Sequence, residues 1–156
     1  MKAVKQFKAE IGHRLMSAYT EPCKSLHGHS YLFEITLEDE YLNKDGMVMD
    51  FGELKDKMEH FFNSFDHTFV VCKKDIILNN LLAIEQLIHN RLMIVDYNPT
   101  AENMAYHAFR ACVENGLPVK EVRVQETLTG WAIASRPKPF VGEDITYYNI
   151  PERHHA

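Results

Sequence analysis

The chain has 156 residues, 46% of them apolar, and a formal net charge of −5. That length fits one domain with a single real core, and the acidic balance argues against nucleic acid or an anionic membrane as partner, since phosphate calls for a basic surface. No apolar run reaches the ~18–20 residues of a membrane span, the start MKAVKQFKAE lacks the apolar stretch of a signal peptide, and the three well-separated cysteines speak for a reducing cytoplasm rather than a disulfide framework.

In chain order, residues 2–14 read as a strand. Ala3, Phe7, Ala9, Ile11 and His13 form one side, with Lys5 as the exception, and Gln6, Lys8, Glu10 and Arg14 form the other. Residues 27–38 repeat the pattern: His27, His29, Tyr31, Phe33, Ile35 and Leu37 alternate with Ser30, Glu34, Thr36 and Glu38. "NKDG" at 43–46 is turn chemistry. Apolar residues three and four apart over 51–65, with Asp50 placed to cap, predict an amphipathic helix. Within 72–97, "DIILNNLLAIEQLIHN" has helical character and "RLMIVDY" reads as a short strand. Thr100 and Gly116 bracket a further helix. Residues 119–127 alternate again, and "TLTG" turns the chain into a last strand, "WAIAS". This β-β-α-(insert)-α-β-β layout predicts an α+β fold, an antiparallel sheet with helices on one face. We expect one domain over 1–156, with the core at about 2–135 and an extension at 136–156.

Chemistry concentrates in "CKSLHGHSY". His13, His27 and His29 all lie in phase with the apolar sides of their strands. One such histidine is ordinarily a core residue. Residues two apart on a strand point the same way, with Cα atoms roughly 6.5–7 Å apart, and a hairpin would bring His13 opposite. Three neutral imidazoles can hold one zinc and leave a position open for chemistry. Cys23 lies in a polar loop at the mouth of that cluster, where it can act as base or nucleophile or close the metal shell as an inert fourth ligand. Cys72 and Cys112 read as buried small hydrophobes. Asp66 and His67 stand side by side after the first helix. They are either a helix terminus or a proton-transfer pair, and the latter needs an irregular backbone. Glu126 puts a carboxylate where the alternation calls for an apolar side chain. It can form a structural ion pair, or accept two parallel N–H groups such as an aminopyrimidinone edge presents.

Six segments, "FKAEIGHRL", "CKSLHGHSY", "MVMDFGELK", "FDHTFVV", "NPTAENMA" and "VQETLTG", occur in the order in which they occur in the 6-pyruvoyl-tetrahydropterin synthase / 6-carboxy-tetrahydropterin synthase family, which the chain resembles over about residues 5–135. The resemblance implies a tunnelling fold, a four-stranded antiparallel sheet with two main helices on one face, the insert at about 72–97 being extra. It implies zinc on His13, His27 and His29, proton transfer by Cys23, Asp66 and His67, and a pterin anchored on Glu126 with Thr127 beside it. It also implies a homo-oligomer, commonly a hexamer of two trimers, with active sites between subunits. Three residues separate Cys23 from His27, the spacing of the carboxy-pterin branch of queuosine and deazapurine biosynthesis. The implied reaction converts 7,8-dihydroneopterin triphosphate to 6-carboxy-5,6,7,8-tetrahydropterin, releasing acetaldehyde and triphosphate. Formation of 6-pyruvoyl-tetrahydropterin, and a non-catalytic pterin-binding protein with structural zinc, are the alternatives. Lys24, Arg14, Arg123 and Lys120 are the cations available to the triphosphate.

Overall fold

The structure, a computed structural model, describes residues 1–136 and 146–149. Strands β1 (Lys2–His13) and β2 (His27–Glu38) pair antiparallel without offset, from Lys2 opposite Glu38 to His13 opposite His27. Helix α1 (Phe51–Phe65) follows, capped by Asp50, whose carboxylate accepts from the Gly52 and Glu53 amides. Then come β3 (Thr68–Cys72), α2 (Leu78–Ile88) and β4 (Leu92–Val95). Helix α3 (Ala101–Glu114) is capped by Thr100 and stops before Gly116, whose φ of 69° suits glycine. The hairpin β5 (Val119–Thr127) and β6 (Gly130–Ala134) and a short β7 (Thr146–Tyr148) are the last elements among the described residues.

These strands form one sheet in the order β6-β5-β2-β1-β3-β4-β7. Among the described residues it has seven strands, not four, and it is mixed: β3 is parallel to both β1 and β4. Two strands escape a reading by alternation. In β3, Val70 faces the main core while Phe69 and Val71 face a second cluster, so both sides are covered and period two disappears. β7 is three residues long and lies within the expected extension at 136–156, most of which falls outside the described residues.

The helices also divide. Helices α1 and α3 pack on the face formed by Ala9, Ile11, Phe33, Ile35, Val122 and Val124. Helix α2 covers the opposite face at β3 and β4, against Val71, Leu92 and Ile94. The 72–97 segment is therefore a β-α-β crossover that widens the sheet and covers its back. Lys5, the odd member of its face, lays its ammonium over the Phe7 and Phe51 rings at 5.8 and 5.6 Å.

Between α1 and α3 the His107 ring meets Phe61 and Phe65, with centroids 5.1 and 5.4 Å away, and its Nδ1 is 2.7 Å from the Tyr97 hydroxyl. Burial, reinforced by the Arg110 charge, pulls its pKa down to about 4. An unfolded histidine titrates near 6.5. Between those values the unfolded chain binds the extra proton, so stability falls as pH drops from about 6.5 toward 4. In urea unfolding, moving from pH 7 to pH 4.5 should cost wild type roughly 2–3 kcal/mol more than His107→Gln, which keeps a polar group without a titrating ring.

Candidate functional site

The shared register sets three imidazoles on one end of the core face. His13 is opposite His27, and Ile11 is opposite His29. Ring centroids lie 4.5 Å (His13 to His27), 5.5 Å (His13 to His29) and 5.1 Å (His27 to His29) apart. One nitrogen from each lies within 4.8 Å of the other two. Close strand approach requires Gly28 here, since a Cβ on it would sit 2.8 Å from the Ile11 carbonyl oxygen.

The tautomers of two rings follow from their partners. His13 Nδ1 is 2.8 Å from the Pro99 carbonyl and His27 Nδ1 is 2.7 Å from the Ser25 carbonyl. A carbonyl only accepts, so each Nδ1 carries a hydrogen and each Nε2 is the nitrogen left to face an ion. Burial holds the His13 pKa below the ordinary histidine value, against the hydrogen bond to Pro99, and the neighbouring His27 and His29 add to the depression. Neutral imidazoles, second nitrogens tied to carbonyls and clustered lone pairs are what a zinc or similar ion requires of its ligands.

Cys23 sits half-buried in a 3-10 turn, Pro22–Lys24, with its sulfur 3.0 Å from the Thr20 hydroxyl. Among the described residues the cluster of ligand atoms consists of the three histidines, without this sulfur. Glu126 and Tyr31 make the remaining contacts. The Tyr31 hydroxyl donates to Glu126 Oε1 at 2.7 Å and lies 3.2 Å from His13 Nε2. Burial and the Glu126 charge push the Tyr31 pKa far up, so the phenol keeps its proton. Glu126 occupies a bulge between Gln125 and Thr127, where the β5–β6 register shifts. Such bulges re-aim side chains. It borders a cavity of about 390 Å³ with Leu15, Tyr19, Thr100 and Trp131, and Thr127 beside it is exposed.

Asp66 and His67 are elsewhere. They join α1 to β3, and His67 takes a φ of 54°, the irregular backbone that lets neighbours bond directly. Asp66 Oδ2 is 2.9 Å from His67 Nδ1, and its Oδ1 accepts from the Glu10 amide at 2.8 Å. Burial pushes the Asp66 pKa up, but the bonds from Glu10 and His67 outweigh it and hold the carboxyl below its usual range. The His67 ring is 71% exposed and lines a groove of about 400 Å³ with Glu10, Gly28, His29 and Ser30. This groove and the Glu126 cavity share no lining residue.

The four cations expected near a triphosphate are all paired. Arg14 meets Asp75 and Lys24 meets Glu21, both at 2.6 Å, Lys120 meets Glu38 at 2.7 Å and Arg123 meets Glu34 at 3.0 Å. Tyr31 is the residue that sequence reasoning passed over. Its signal was available: it continues the odd register of His27 and His29, and a buried phenol demands a partner.

The model of the family described as 6-pyruvoyl tetrahydropterin synthase matches residues 2–137. The chain is 32% identical over 108 residues to 6-carboxy-5,6,7,8-tetrahydropterin synthase of Rickettsia felis, covering 69% of this chain and 76% of that one. It is 28% identical over 149 residues to the Aquifex aeolicus protein of that name, covering 84% and 91%. Among solved structures, an uncharacterized protein of Wolinella succinogenes is similar with a TM-score of 0.73 at 23% identity, over 86% of this chain and 97% of that one. The 6-pyruvoyl tetrahydropterin synthase of Caenorhabditis elegans follows at 0.63 and 20%, over 87% and 95%. At these identities the structural likeness speaks for the fold.

Tyr31→Phe removes one hydrogen bond to a carboxylate without changing the packed ring. It should lower the unfolding free energy by about 1.5–3 kcal/mol in urea titration.

Proposed function

The chain belongs to the 6-pyruvoyl tetrahydropterin synthase family, and on that premise we propose that it is a zinc-dependent lyase. Its substrates are 7,8-dihydroneopterin triphosphate and one water, and its products are 6-carboxy-5,6,7,8-tetrahydropterin, acetaldehyde and triphosphate. The observation that carries the reading is the convergence of His13, His27 and His29 with no sulfur among them. The carboxy product, and with it a place in queuosine and deazapurine biosynthesis, is supported by the three-residue spacing from Cys23 to His27 and by the names of the curated relatives. We take the enzyme to be cytoplasmic and the chain to be one catalytic domain. No helix among the described residues is long and apolar enough to cross a membrane.

His13 and His27 would hold zinc through Nε2, with His29 as third ligand. Zinc bound there supplies a Lewis acid that lowers the pKa of hydroxyls on the substrate side chain. Glu126, its Oε1 already fixed by Tyr31, accepts the parallel N–H groups of the pterin edge and orients the ring. The Cys23 thiolate removes a proton from the side chain, and His67 moves a second one, its ring aimed by Asp66 through Nδ1. Lys24, next to Cys23 and paired only at the surface, is the cation we assign to the triphosphate.

Within one chain His67 and Glu126 line different cavities, and the His67 groove also includes His29. We therefore place Asp66 and His67 of one subunit against Cys23 and Glu126 of another, in a homo-oligomer for which a hexamer is favoured.

Two experiments test the reading. Cys23→Ala should keep its zinc, measured by metal analysis, and lose about 10²–10⁴-fold in turnover, with the wild-type product identified by mass. Release of zinc would instead make the sulfur a structural ligand, and a pyruvoyl product would move the chain to the other branch. Inactive Cys23→Ala and His67→Ala chains, dissociated and reassembled together, should regain turnover that neither has alone. Failure to do so places the site within one subunit.

A further inference from the structure

Cys23 lies in the segment that joins β1 to β2, and no residue of 14–26 is buried. A reacting group on such a segment cannot be held by apolar packing, so hydrogen bonds must hold it. The Leu15 amide donates to the Cys23 carbonyl at 2.9 Å. The Arg14 Nε donates to the Lys24 carbonyl at 2.8 Å. From the same guanidinium, Nη1 reaches Asp75 Oδ1 at 2.6 Å, in a pair whose side chains are 12% and 1% exposed.

Asp75 is itself anchored. Its amide donates to the Cys72 carbonyl at the end of β3, and its Oδ1 also accepts from the Ile77 amide that leads into α2. Its other oxygen is buried without a hydrogen-bond partner. That carboxylate is out of water and its charge is matched by Arg14, so the arrangement is rigid and intolerant of losing either member. A continuous path runs from the end of β3 through Asp75 and the Arg14 side chain to the Lys24 carbonyl, next to the Cys23 carbonyl that the Leu15 amide holds. Residue type alone made Arg14 a candidate for the triphosphate, but its Nε and Nη1 are committed inside the protein.

We propose that Arg14 and Asp75 are positioning residues for Cys23, and that the 72–77 connection thereby sets the geometry of the reacting thiol. This rests on reading Cys23 as the thiol that reacts with substrate, and wild-type turnover tests that reading on its own. The clamp is tested on the thiol itself. Cys72 and Cys112 are 1% and 0% exposed, so Ellman's reagent on the folded protein reads Cys23.

The variants are Asp75→Asn, which removes the charge at constant shape, and Arg14→Lys, which keeps the charge but offers one nitrogen in place of two directed donors. Both should raise the rate of thiol modification severalfold and increase deuterium uptake across 15–26, with zinc content and uptake in β1 and β2 unchanged. Turnover should fall about 10–100-fold in kcat with KM held within about twofold, the signature of a displaced reacting group. If Asp75→Asn does not fold, Arg14→Lys decides alone. Thiol reactivity and deuterium uptake equal to wild type would overturn the proposal. So would a loosened segment with full kcat, since the clamp would then order the chain without serving the reaction.

Discussion

Everything in this molecule depends on the unshifted pairing of β1 with β2. Side chains alternate with period two, so a slip of one residue would turn His13 away from His27 and expose Ala9 and Ile11 at the same stroke. The register is fixed by burial. Phe33, Ile35 and Leu37 are completely buried on β2, and Ala9 and Ile11 nearly so on β1. Hydrophobic packing at one end of the ribbon therefore holds ligand geometry at the other. Tyr31 marks the transition, since its ring contacts Phe33 on one side and the rings of His29 and His13 on the other.

Much of this was legible because it is local. The histidine cluster needs only alternation on two neighbouring strands. The caps at Asp50 and Thr100 need only residue type and the helix that follows. Long-range partnership was not legible. β3 gives no alternation because α2 covers its second face, and parallel pairing joins segments that no turn motif links. The direct bond between Asp66 and His67 depends on a left-handed φ that a histidine rarely adopts. The commitment of Arg14 depends on a carboxylate 61 positions away. Glu126 was visible as a break in pattern, but the bulge that aims it and the phenol that fixes it were not.

The two faces of the sheet carry different chemistry. The helix-covered face ends in three imidazoles, a phenol that keeps its proton and a carboxylate. The other face, around the two opposed residues Gly12 and Gly28, carries the ion-rich group of Glu10, Ser30, Asp66 and His67. His67 stands on this side with a φ of 54° and a ring that is 71% exposed.

Strand β6 ends the described sheet on one side, so the outward N–H and C=O groups of Gly130–Ala134 have no strand beside them among the described residues. Trp131 and Ile133 stand on the same strand, 40% and 55% exposed. Unsatisfied backbone flanked by apolar side chains is a template for any extended polypeptide that drifts past. The strand that carries Trp131 and Ile133 is thus the most adhesive edge of this sheet.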